Sequence, residues 1–223
     1  MRLWGIFALA GAVGALAGGR YGSDAAAALL PDAGTHGAWY ASRAAGIASY
    51  MFLWLGLIGG LLMSSAWFDG LIGRARLLAF HQTASIGGVV LGLGHALVLI
   101  PDGWTNFGLV DLFVPFGSYY EPLLAAIGTG TLYLSAVVSA SFWFRSRIGT
   151  KMWRWLHYSS FLAFAGALWH GLLIGSDADE KWLLTLYLGT SMSIVFGVMI
   201  RITYRRPAVK RRPPVPPQGV ETA

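Results

Sequence analysis

The chain has 223 residues, 56% of them hydrophobic and only 12% charged, and its mean hydropathy is +0.59. A soluble domain carries about a quarter charged residues, so this composition excludes a water-soluble globule and indicates a polytopic membrane protein. The net charge of +6 matters by its placement, and the absence of cysteine excludes disulfides, thiolate metal sites, iron–sulfur clusters and covalent C-x-x-C-H haem attachment.

A helix needs roughly 20 apolar residues to cross the hydrocarbon. Six stretches meet or approach that length: residues 3–19, 44–65, 77–100, 122–144, 155–175 and 182–204. The first also fits a signal peptide, since Met1-Arg2 precedes a short apolar run ending in Ala15-Leu16-Ala17. The tail after Arg205 is basic and then Pro-rich (RRPPVPPQ), and reads as disordered or polyproline II. The expected organisation is therefore 1–43, first helix or signal peptide plus an outer loop; 44–204, a transmembrane unit; and 205–223, a cytoplasmic tail.

Orientation follows from the basic residues. With the N-terminus inside, 13 of the Lys and Arg side chains fall on the inner side, among them Arg74, Arg76, Arg145, Arg147, Lys151, Arg154 and Arg201. Only Arg20, Arg43 and Lys181 fall outside. The positive-inside rule then predicts both termini in the cytoplasm of a cell, or inner, membrane. The lipid bilayer is the expected partner, and nothing points to nucleic acid.

Four of the five histidines lie in two membrane-length segments: His81 and His95 in the third span, His157 and His170 in the fifth. An ionisable side chain inside a span is expensive, and neutral imidazole is a common haem-iron ligand. His81 and His95 are 14 residues apart, about 21 Å along a helix and within roughly 40° of one face. His157 and His170 are 13 apart, about 19.5 Å. The two spans run the same way, so His81 pairs with His157 near the inner face and His95 with His170 near the outer face. Each pair is placed to clamp one haem iron from opposite sides, in two stacked haems close enough for electron tunnelling. One mismatch stands: thirteen ideal steps leave His170 about 140° from His157, so tilt, curvature or a local distortion must make up the difference. His36 is expected to be a surface histidine of the first outer loop.

The neighbourhood has two readings. Gly87, Gly88, Gly92 and Gly94, with Ala163, Ala165, Gly166 and Ala167, let a flat macrocycle approach the backbone or let helices pack closely. Phe161 and Phe164 lie at the depth between the two pairs, or simply in a core. Arg74, Arg76, Lys151 and Arg154 are placed to meet haem propionates or to anchor the inner face, and Arg43 is the outer counterpart. The aromatic outer loop 101–122 caps the outer haem, docks a partner or forms an interfacial belt. The acidic run Asp177-Ala178-Asp179-Glu180 is a cation-attracting or an ordinary outer loop.

His81, His95, Trp153-Arg154-x-x-His157 and His170 together resemble the ferric reductase-like transmembrane domain, over roughly residues 44–204. The resemblance implies an all-α six-helix transmembrane bundle with two non-covalent b haems between the third and fifth helices. It includes a short bacterial form, the haem-binding subunit of the methionine sulfoxide reductase system. No G-x-G-x-x-G follows a strand and no P-loop is present, so no flavin–nicotinamide domain is expected. The lead expectation is a dihaem electron conduit. Its donor is a quinol or a separate, FMN-bearing flavoprotein, and its acceptor an outer-face partner protein, a ferric chelate or dioxygen. The alternatives are a quinol-oxidising cytochrome b of another family, and a haem-free transporter or assembly subunit whose histidines relay protons or bind a metal.

Overall fold

The structure, a computed structural model, describes residues 33–65, 72–100 and 107–204. The expected first span or signal peptide at 3–19 and the tail 205–223 lie outside the described residues. Those that are described form helices and no β-strand. The helices are α1 (Ala33–Ser64), α2 (Arg74–Val98), α3 (Leu109–Phe113), α4 (Pro122–Ile148), α5 (Thr150–Tyr158), α6 (Ser160–Ile174) and α7 (Lys181–Thr203).

Four of them are long and apolar enough to cross a membrane: Gly37–Ser64 within α1, and α2, α4 and α7. Val90, Val137, Leu188, Met192 and Val195 are each more than half exposed on these helices. Such a surface suits hydrocarbon, and helices satisfy every backbone group within themselves, as lipid requires. The protein is thus a multi-pass helical membrane protein.

Two expectations change. Helix α1 begins ahead of residue 44, so the backbone of His36 belongs to a helix and not to a loop. The segment expected as one span at 155–175 is two helices of 9 and 15 residues, interrupted at Ser159. There ψ is −8°, well short of the helical value near −42°. The Ser159 hydroxyl donates to the Leu156 carbonyl at 2.6 Å, and its N–H is shared between the Trp155 and Leu156 carbonyls at 3.3 and 3.2 Å. Serine back-bonding of this kind competes with the helical ladder and bends it. The ladder resumes when Ala163 N–H reaches the Ser159 carbonyl at 3.0 Å.

Proline starts α4, where no N–H is needed. Gly149, at φ 79°, ends α4 and turns the chain into α5, a conformation that favours glycine. The buried core joins α1, α6 and α7 through Tyr50, Leu61, Phe164, Leu183, Tyr187 and Ile194. Tyr50 stacks on Phe164 at 5.2 Å and meets Tyr187 edge-on at 4.9 Å. Polar contacts tie α1 to α7: Tyr50 Oη to Thr190 Oγ1 at 2.6 Å, and Trp54 Nε1 to Ser193 Oγ at 2.8 Å. Hydrogen bonds of this type hold helices together where burial from water gives no driving force.

Helix α2 packs on α1 and α4, and α6 also packs on α1 and α4. Extensive contact between α2 and either α5 or α6 is lacking. A slot therefore separates the two histidine-bearing segments.

Candidate functional site

Four histidines reach across this slot in two pairs. The His81 and His157 ring centroids are 5.9 Å apart with planes at 77°, and those of His95 and His170 are 6.2 Å apart at 82°. Both pairs use the unbroken α2, so they lie at two depths about 21 Å apart by helical rise. The interruption at Ser159 falls between His157 and His170.

Three of the rings are fixed by one device. The Nδ1–H of His81 donates to the Gly56 carbonyl at 2.7 Å, that of His95 to the Ser42 carbonyl at 2.7 Å, and that of His170 to the Leu124 carbonyl at 2.9 Å. A helical carbonyl keeps a second lone pair after its ladder bond, but the side chain four residues on tends to cover it. At all three acceptors that residue is glycine: Gly60, Gly46 and Gly128. A Cβ on Gly46 would fall 2.9 Å from His95 Nδ1, and one on Gly128 would fall 2.6 Å from His170 Cε1. With Nδ1 donating, each neutral ring keeps its lone pair on Nε2. None of these three glycines stands out by sequence reasoning. Their signal is a glycine one turn after a carbonyl on a neighbouring span, and that neighbour is known only from the fold.

His157 is held differently. It stacks on Trp153 of its own helix, centroids 5.0 Å apart at 16°, and the Arg145 guanidinium lies over the same indole at 4.9 Å. Arg201 of α7 reaches the adjacent Tyr158 hydroxyl at 3.1 Å. Arg74, Arg76, Lys151 and Arg154 are exposed at this end of the molecule.

A cavity of about 300 Å³ lies against His95 and His170. Gly88, Gly92 and Ser135 line it, and the buried Ser135 hydroxyl has no hydrogen-bond partner. At its mouth Arg43 pairs with Asp177 and lies over Trp39 at 4.2 Å. Phe107 and Tyr120 of the aromatic loop also line the cavity, and Tyr120, Phe113, Phe116 and Tyr119 are all exposed; Trp104 is outside the described residues.

The small residues divide. Gly87 and Gly88 lie against Phe52 and Leu53, and Gly92 against Ser49, so they bring α2 close to α1. Gly166 lies against Thr131 and brings α6 close to α4, while a Cβ on Gly94 would meet nothing. Phe164 is a core residue stacked on Tyr50, with Phe161 partly buried beside it.

Comparison of the chain with protein-family models, curated proteins and solved structures finds no match. The chemistry must therefore be read from the site. Among the described residues no group of three or more His, Cys, Asp or Glu could hold a metal ion. Two imidazoles are too few for a bare zinc or transition-metal ion, which takes four or more donors. Two suffice for a metal that arrives with its own equatorial ligands.

Proposed function

We propose that this protein is a dihaem b-type membrane cytochrome, with one haem between His81 and His157 and the other between His95 and His170. The pair geometry carries the reading. Two imidazoles that held one metal ion between them, each at about 2.0 Å, would stand with their ring centroids about 6 Å apart. The two pairs stand at 5.9 and 6.2 Å.

The surroundings fit such a group. The lack of extensive contact between α2 and α5–α6 supports a group bound between them, and at the His95–His170 pair a cavity of about 300 Å³ bordered by Gly88 and Gly92 supports it further. The Nδ1–H bonds fix tautomer and ring orientation at three ligands and raise their basicity. Arg74, Arg76 and Arg154 flank the His81–His157 end and are the residues proposed to meet haem carboxylates there; at the other end Arg43 would do so only by leaving Asp177. When bound, haem supplies reversible one-electron chemistry at a potential set by axial ligands, hydrogen bonding and burial.

By the charge distribution, the His81–His157 site faces the cytoplasm and the His95–His170 site the outer side. Electrons enter from a quinol or a separate flavoprotein and leave to an outer-face partner, a ferric chelate or dioxygen. Membership of the ferric reductase-like transmembrane group, on the histidine spacing and Trp153-Arg154-x-x-His157, is part of this proposal.

A pyridine haemochrome assay and a reduced-minus-oxidised spectrum of the purified protein test it. Two b haems per chain are expected; one or none overturns the reading.

A further inference from the structure

Three paired histidines are anchored to backbone carbonyls of neighbouring helices, and His157 is anchored to Trp153. The difference is physical. A carbonyl acceptor fixes the rotation of the ring and also increases its electron donation to a metal. A stacked indole limits tilt but accepts no proton from Nδ1. The indole here is itself drawn toward a cation, because Arg145 lies over it at 4.9 Å. Its Nε1–H is buried without a partner. The helix that carries the stack is only nine residues long and is interrupted two positions after His157, at Ser159. By contrast, both His95 and His170 are tied by Nδ1 to carbonyls on α1 and α4.

We infer that Trp153 is the positioning residue for His157, and that the His81–His157 site is the one whose axial imidazole can be displaced. The i, i+4 spacing places the indole against the imidazole face, and this stack restrains the tilt of the ring. The two haem sites are consequently unequal: one is closed to added ligands on both sides, and the other opens when the stack is removed. This inference rests on the two-haem reading.

The test uses the full-length protein in detergent. In Trp153→Ala, one of the two haems should change from a low-spin to a high-spin ferric spectrum and bind carbon monoxide when reduced. Uptake should rise from near zero to about one per chain, since an open axial position is what a diatomic ligand needs. Trp153→Phe, which keeps a stacking ring, should restore the low-spin spectrum. Trp155→Ala, which removes an exposed indole of the same helix, should change neither readout. If the alanine variant does not accumulate, Trp153→Leu, which fills the space without an aromatic face, should give the same open site. Two low-spin haems without carbon monoxide uptake in Trp153→Ala or Trp153→Leu overturn the inference, as does opening of the haem that His170→Ala removes. Absence of haem from the wild-type protein overturns the two-haem reading instead, so the two failures are distinguishable.

Discussion

Ser42 and His95 are joined reciprocally: the Nδ1–H of His95 donates to the Ser42 carbonyl at 2.7 Å, and the Ser42 hydroxyl donates to the His95 carbonyl at 2.8 Å. Helices α1 and α2 run antiparallel, and the step from Ser42 to Gly56 along α1 equals the step from His81 to His95 along α2. One helix thus presents acceptors at the same interval at which the other presents imidazoles. The register of α1 on α2 fixes two ligands at two depths at once.

Of the glycines beside these acceptors, Gly46 and Gly128 should be intolerant of substitution, whereas a Cβ on Gly60 would meet His81 only at 3.4 Å, an ordinary contact. Gly128→Ala places a methyl 2.6 Å from His170 Cε1 and must displace the ring from the Leu124 carbonyl. The expected loss is about 1–3 kcal/mol of stability, from overpacking and from a buried donor left unpaired. Gly94→Ala, where a Cβ meets nothing, should be neutral. Detergent thermal unfolding of both variants decides the matter, and equal midpoints would refute the role assigned to Gly128.

Removing one imidazole should separate the sites. His157→Ala is expected to lose or cripple the haem at His81 while the signal from the His95–His170 pair persists. The reverse is expected for His170→Ala. Redox titration of each variant reads this, and loss of the same component in both would contradict the pairing.

Ser159 interrupts the helix between His157 and His170. Ser159→Ala should cost about 0.5–1.5 kcal/mol through the lost bond to the Leu156 carbonyl. Inserting one alanine after Ser159 should be far more damaging, because it rotates the following helix by about 100°. The insertion should abolish binding at one of the two pairs, as measured by haem stoichiometry; full occupancy would show that the phase is not critical.

The Arg43–Asp177 pair ties α1 to the loop before α7, and both side chains are partly exposed. A double-mutant cycle should give no more than about 1 kcal/mol of coupling, weakening as salt rises. Charge exchange, Arg43→Asp with Asp177→Arg, should recover most of it. A coupling that is unaffected by salt would indicate a dry, buried pair instead.

Tyr50→Phe removes the hydroxyl bonded to Thr190, which retains its bonds to the Leu186 and Tyr187 carbonyls. The expected cost is about 0.6 kcal/mol, as for other interhelical hydrogen bonds in membranes. Thermal unfolding checks it, and a shift several times larger would mean that the ring packing against Phe164 and Tyr187 changes as well.

The sequence by itself determined the membrane class, four of the spans and the four histidines, because hydrophobic length and intramembrane ionisable residues are local properties. It also determined which histidine faces which, since co-directed spans with nearly equal spacing admit one pairing by depth. Only the tertiary structure decided how the rings are held. The interruption at Ser159 depends on a hydroxyl choosing a backbone carbonyl over the surroundings, and a single serine in an apolar run does not declare that choice. The roles of Gly46, Gly60 and Gly128 depend on which helix lies opposite each carbonyl. That is a matter of packing register, which hydrophobic periodicity does not specify when a helix is apolar on every side.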